Sequence, residues 1–121
     1  MAESHDLGQK GENLAAEHLE KNGYKILFRN WKWGKNEIDI IAENHEFIVF
    51  VEVKTRAADF QMHPLTAINR EKQKSIIRAA NGYLQKFGVD KEGRFDIITV
   101  IKSADSFDID HIESAFYPTL R

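Results

Sequence analysis

"NEIDIIAENHEFIVFVEVKT", residues 36–55, decides the fold, because it reads as two strands and a turn with charges set where a buried run would continue. Residues 36–43 and 46–55 are rich in Ile, Val and Phe, and the polar ENHE supplies a turn around Asn44-His45. In residues 47–54 side chains alternate, so Phe47, Val49, Val51 and Val53 share one face while Ile48, Phe50, Glu52 and Lys54 share the other. Both faces are apolar as far as Val51, so the strand needs cover on both sides. A two-residue turn at Asn44-His45 sets Ile41 against Ile48, Asp39 against Phe50 and Glu37 against Glu52. Glu37, Asp39, Glu52 and Lys54 then project from one face, with Asp39 and Glu52 diagonal neighbours at roughly 7 Å. An odd-numbered loop would instead turn Asp39 towards Val51 or Val53.

Outward from the hairpin the chain supplies the cover. A helix is expected from about Leu7 to Asn22, with Leu14, Ala15, His18 and Leu19 on one side and Gly23 in the stop position. "YKILFRNW" reads as a strand. A long loop containing Gln61 to Pro64 leads to a second helix from Arg70 to Phe87, capped by Asn69 and stopped by Gly88. Residues 94–101 form another buried strand, and residues 107–112 a short edge strand. The order is αβββαββ, an α/β fold with a mixed central sheet flanked by helices. No repeat, linker or low-complexity stretch divides the 121 residues, so one domain spanning 1–121 is expected.

Composition narrows the function. The net charge of −2 gives no global positive field, so a nucleic-acid surface has to be local. The absence of cysteine excludes a disulfide scaffold, a thiol nucleophile and a Cys-ligated zinc. His5, His18, His45, His63 and His111 are scattered without ligand spacing. No apolar run approaches the ~20 residues a bilayer demands and no leader is evident, so a cytoplasmic, membrane-free protein is the default.

Two carboxylates as close as Asp39 and Glu52 repel in a partly dry site unless a proton or a cation sits between them. Mg²⁺ or Mn²⁺ fits, held by both carboxylates and the Val53 backbone carbonyl while keeping several waters. Such an ion polarises a phosphodiester oxygen and acidifies a water, and the Lys54 ammonium beside it can stabilise developing negative charge. A plainer reading exists: Glu-x-Lys at a strand end is often a solvated ion pair. Two features weigh against it. Glu12 borders the apolar arc of the first helix, and Lys72 sits in line with Ile76, Ala79, Tyr83 and Phe87 on the stripe of the second that should be buried. For these the plainer readings are a rim carboxylate and a snorkelling lysine.

"RNWKWGK" interleaves Arg29, Lys32 and Lys35 with Trp31 and Trp33, a composition suited to phosphate contact and base stacking, although Trp31 also suits the core. Arg56, Arg70 and Lys72, with Lys74 and Arg78, extend a basic rim. Tyr83 and Asp96 suit packing and hydrogen bonding.

Taken in order, "GENLAAEHLEKNGYKIL", "RNW", "EIDIIAE", "FVEVKTR", the helix carrying Lys72 and "AANGYL", and "RFDIITV" resemble the blocks of the YraN family of bacterial endonuclease-like proteins. The resemblance covers nearly the whole chain. It implies a fold like that of restriction endonucleases and archaeal Holliday junction resolvases. It also implies that Asp39, Glu52 and Lys54 occupy the nuclease positions, joined by Glu12 from the first helix. Where the family shows Gly before Glu-Ile-Asp this chain has Asn36, a residue that tolerates positive φ. The expectation is a metal-dependent nuclease acting on DNA, including branched or recombination intermediates. A catalytically idle nucleic-acid-binding module and a protein-interaction domain are the alternatives. By analogy with resolvases, a homodimer through residues 107–116, with Phe107, Phe116 and Tyr117, is a further expectation.

Overall fold

The computed structural model describes residues 2–58 and 68–118, with side chains from residue 6 onward. The elements are α1 (Ala2–Lys21), β1 (Lys25–Trp33), β2 (Asn36–Glu43), β3 (Phe47–Ala57), α2 (Arg70–Phe87), β4 (Glu92–Lys102) and β5 (Phe107–Phe116). They follow the expected αβββαββ order. The expected loop of residues 61–64 lies outside the described residues. The second helix has the expected bounds because its ends are chemically marked. The Asn69 side chain accepts the Lys72 N–H, and Gly88 closes the helix in the left-handed conformation with its N–H on the Leu84 carbonyl. The edge strand β5 is longer than expected and reaches Phe116.

The five strands form one mixed sheet in the order β1-β2-β3-β4-β5, antiparallel except for the β3–β4 pair. The two helices cover opposite faces. Ile48 and Phe50 join Ile76, Ala79, Ala80 and Tyr83 of α2 in one core, while Val49 and Val51 join Ala15, Ala16 and Leu19 of α1 in the other. Strand β3 is thus buried on both sides, as its unbroken apolar run requires.

The β2–β3 hairpin corrects the expected register. Its two-residue loop is His45-Glu46, not Asn44-His45: the Asn44 N–H donates to the Phe47 carbonyl, and Asn44 Oδ1 accepts the Glu46 and Phe47 N–H groups at 2.9 and 2.7 Å. The pairs are therefore Ile41 with Phe50 and Ile40 with Val51. The shift is two in paired sum, so the parity survives, and continuing the ladder sets Asp39 directly opposite Glu52.

At that level the outer strands change face. Ile40 belongs to the α1 core but Ile38 to the α2 core, although residues two apart on a regular strand share a side. Strand β1 does the same. Arg29 reaches Glu12 of α1, whereas Trp31 packs on Tyr83 of α2. Arg29 pairs with Ile40 and Trp31 with Ile38, so Asn30 and Asp39 both fall at the break, and Asn30 takes φ 54 to make it. Asn36, where positive φ was anticipated, does not adopt it; its Oδ1 accepts a hydrogen bond from Ser75 Oγ of α2 at 2.7 Å. Asn36 and Ile38 both face α2, so Glu37 lies on the opposite side and leaves the expected four-residue group.

Candidate functional site

The face change at Asp39 builds the site. The last paired residues of β2 and β3 are Ile40 and Val51. Beyond them Asp39 Oδ2 accepts the Val53 N–H at 2.8 Å, taking the hydrogen bond that a straight β2 backbone would have made. A strand residue points its N–H and C=O to the same side, so the Val53 carbonyl faces the same gap. Glu52, only 5% exposed, projects from the α2 face of β3 beside it. Its Oε2 draws two ammonium groups, Lys54 Nζ at 3.6 Å and Lys72 Nζ of α2 at 3.8 Å. Its Oε1 is buried without a hydrogen-bond partner.

From the other face α1 brings Glu12. Gly11 allows the approach, because a Cβ there would lie 2.0 Å from Thr55 Oγ1 of β3. Arg29 Nη2 and Nε hold Glu12 Oε1 at 2.7 and 3.1 Å, and Asn30 Nδ2 adds a third donor at 3.2 Å. The left-handed Asn30 that turns β1 over therefore also steadies the helix-one carboxylate.

Electrostatics mark Asp39 as the uncompensated group. Burial and then the Glu52 charge push its carboxyl up to about 7; the Val53 N–H opposes this and is outweighed, and Glu12 adds to the rise. No cation stands within ion-pair distance of Asp39 among the described residues. The donor set suits a hard divalent ion: two carboxylates, one of them with an orphaned oxygen, and a backbone carbonyl outside the sheet ladder. Among the described residues no three His, Cys, Asp or Glu side chains converge as a metal cluster, so an ion here would rely on that carbonyl and on water.

The expected site residues thus divide. Asp39, Glu52, Val53, Lys54 and Glu12 surround the gap, and Lys72, read in the sequence as a nucleic-acid contact, joins them through Glu52. Arg29 is spent on Glu12 and also donates to Asn13 Oδ1 at 2.6 Å. Lys32 and Lys35 are exposed, Arg70 is exposed at the α2 N-terminus, and Arg56 donates to its neighbour's carbonyl, Thr55 O. Trp31 and Trp33 share a face and stack at 5.6 Å, Trp33 lying against Gly82, where a Cβ would meet its ring at 2.3 Å.

One feature, Thr99, escaped the sequence, and a second, Asp96, does the hydrogen bonding expected of it with partners that the sequence did not name. Thr99, level with Lys54 on the α2 face, is 3% exposed with an unpartnered Oγ1. On the other face of β4, fully buried Asp96 receives Arg94 in a two-pronged pair at 2.9 and 2.8 Å, the Ser114 N–H at 3.1 Å and His111 Nε2 at 2.7 Å. His111 Nδ1 in turn meets His18 Nε2 at 3.2 Å. Burial alone would raise the Asp96 pKa, but hydrogen bonds from His111, Arg94 and Ser114 outweigh it and hold it below the usual range. This network ties α1 and β5 to the sheet.

The chain matches the family described as "Uncharacterised protein family UPF0102" over residues 11–100. It is 45% identical to a UPF0102 protein of Parabacteroides distasonis over 121 residues, covering all of both chains. A UPF0102 protein of Bacteroides thetaiotaomicron is 48% identical over 120 residues, 99% of each. One of Chlorobium phaeobacteroides is 43% identical, over 95% of this chain and 96% of its own. The chain belongs to the UPF0102 family, a placement consistent with the YraN resemblance. No helix among the described residues is long and apolar enough to cross a membrane.

Proposed function

We propose that the protein is a divalent-metal-dependent nuclease that hydrolyses phosphodiester bonds in DNA, on a restriction-endonuclease-like version of the αβββαββ sheet. The observation that carries this reading is the Asp39–Glu52 pair: a half-buried carboxyl whose pKa is pushed up to about 7 and a buried carboxylate with a bare oxygen, beside a lysine. A carboxylate pair kept for stability alone would have cations on both members, whereas both lysines stand on Glu52 and none within ion-pair distance of Asp39 among the described residues.

Asp39, Glu52 and the Val53 carbonyl would hold Mg²⁺ or Mn²⁺, which supplies Lewis-acid polarisation of the phosphate and a more acidic water. Lys54 does the work that a carboxylate cannot. Its ammonium, 20% exposed and 3.6 Å from Glu52, stands at the mouth of the gap where the phosphorane gathers negative charge. Lys72, 42% exposed on α2, brings a second positive charge to the same mouth and can meet a neighbouring phosphate. Glu12, fixed by Arg29 and Asn30, keeps a carboxylate on the far side of Asp39, where it can orient a water and accept its proton.

The test is a panel of labelled linear, nicked and branched DNAs incubated with Mg²⁺, Mn²⁺ or EDTA. Cleavage in either metal, its absence in EDTA and its loss in Asp39→Asn are expected. Binding without any cleavage would leave the idle module in its place.

A further inference from the structure

The charge of this chain is segregated. Strand β1 carries Lys25, Arg29 and Lys32 with no acid, and α2 carries five cations against Glu71. These two elements therefore hold seven net positive charges in a protein whose total is −2, so the remaining residues stand at −9. At the other sheet edge β5 displays Asp108, Asp110 and Glu113.

Three exposed rings also lie on the positive side, whereas a fourth, Tyr117, follows β5. Trp33, Phe28 and Phe87 are 40%, 38% and 47% exposed. They form one ledge with two more rings: Trp33 stacks on Trp31, Trp31 meets Tyr83 edge-on at 5.3 Å, and Tyr83 touches Phe28 and Phe87 at 5.8 and 4.7 Å. Lys86 lies 5.8 Å from the centre of the Phe87 ring, and Lys32 and Lys35 flank Trp33 in sequence. The ledge runs along the outermost strand, one strand beyond Asp39.

Resting on the nuclease reading, we infer that this ledge holds an unpaired DNA strand, so that the preferred substrate carries a single-stranded segment beside the phosphodiester that is cut. Bases in a duplex keep their faces against one another; only unpaired bases can stack on a side chain, and a basic, aromatic surface is the combination that binds them. A second copy of the chain fits poorly, because ledge against ledge would oppose two surfaces of like charge.

The test measures binding in EDTA by fluorescence anisotropy, with a labelled oligo-dT, a blunt duplex and the same duplex with an unpaired tail. The single strand and the tailed duplex should bind more tightly than the blunt one. Phe87→Ala and Phe28→Ala, checked for folding by thermal melts, should each weaken single-strand binding roughly 5- to 150-fold and leave blunt-duplex binding unchanged. Tryptophan emission should change on binding oligo-dT. Equal affinity for all three DNAs, or ring variants that bind like wild type, would overturn the inference. Mg²⁺-dependent cleavage of the blunt duplex alongside that result would leave the nuclease reading standing. No DNA binding in EDTA would overturn the inference, and the absence of cleavage in Mg²⁺ and Mn²⁺ as well would sink both; a concentration-dependent dimer in sedimentation, lost in Phe87→Ala, would then assign the ledge to self-association.

Discussion

Replacing Asp39 by Asn isolates the carboxylate pair, because the amide keeps what the structure uses and removes what it strains. Asn Oδ1 can still accept the Val53 N–H, and its Nδ2 can donate to the orphaned Glu52 Oε1. Asp39 titrates near 3.9 in the unfolded chain and near 7 in the fold, so between those values the folded state binds the extra proton. Stability of the metal-free wild type therefore falls as pH rises through that window, and the loss is complete above about 7. Integrating the linkage from pH 5 to pH 8 gives a change on the order of 2.5 kcal/mol, which Asn, having no proton to lose, does not suffer. For a chain of 121 residues that is roughly ten degrees in melting temperature. Thermal melts of both proteins in EDTA at pH 5 and pH 8 should show the Asn variant gaining on the wild type by that amount. Titrations remote from Asp39 are common to both and cancel, whereas Glu52 and Glu12 interact with Asp39 and belong to the measured difference. Mn²⁺ at about ten times its dissociation constant should then stabilise wild type by about 1.4 kcal/mol at pH 8 and the variant by far less. Parallel pH curves, a variant that loses ground at pH 8, or equal shifts with Mn²⁺ would refute the argument.

Lys54→Ala should abolish cleavage while keeping the Mn²⁺-induced rise in melting temperature, since the ammonium is assigned to the transition state and not to the ion; turnover at the wild-type rate would remove it from the mechanism. Thr99→Val should raise stability by about 1–2 kcal/mol in calorimetry by removing a buried hydroxyl with no partner, and a loss would mean that the hydroxyl is satisfied in solution. Asp96→Asn should cost roughly 3–5 kcal/mol at pH 7 by leaving Arg94 buried without its carboxylate, as read by urea melts. Because the Asp96 pKa is held down, its contribution is present above about 3.9 and fades as pH falls below it, so the variant should also have a flatter acid limb.

The elements were legible where local chemistry settles them. The unbroken run of aromatic and β-branched residues from Phe47 to Val51 fixes β3, and Asn69 and Gly88 punctuate α2. The hairpin register was not, because ENHE offers two adjacent two-residue turns of equal parity and the choice falls to the Asn44 side chain. Glu37 was misassigned for a tertiary reason: regular alternation cannot foresee a strand that turns over at Asp39 in step with a left-handed Asn30 on its neighbour. Lys72 gave a real signal, a charge on an apolar stripe, although its partner across the fold was not readable. The contact of His18 with His111 joins residues 93 apart and leaves no trace in spacing. Phe28 and Phe87 likewise become neighbours only when β1 lies against the end of α2.

Counting charges around the gap yields a balance that the geometry undoes. Asp39, Glu52 and Glu12 are matched in number by Lys54, Lys72 and Arg29. Yet Arg29 is committed to Glu12, and both lysines approach the same Glu52 oxygen, Oε2. The remaining carboxylate surface, Asp39 and Glu52 Oε1, has no ammonium or guanidinium partner among the described residues; Asp39 takes the Val53 N–H and interacts with Glu52 itself. The near balance of charge moderates repulsion in the cluster, while the uneven placement leaves a local excess of negative charge that a proton fills only partly near pH 7. On the proposed metal-binding reading, a proton and a divalent ion would compete for one place, and the ion would gain as pH rises through that value. Both lysines approach Glu52 Oε2 and neither pairs with Asp39, so with an ion held through Asp39 and Glu52 Oε1 their charge would remain available to an anion approaching from the α2 face.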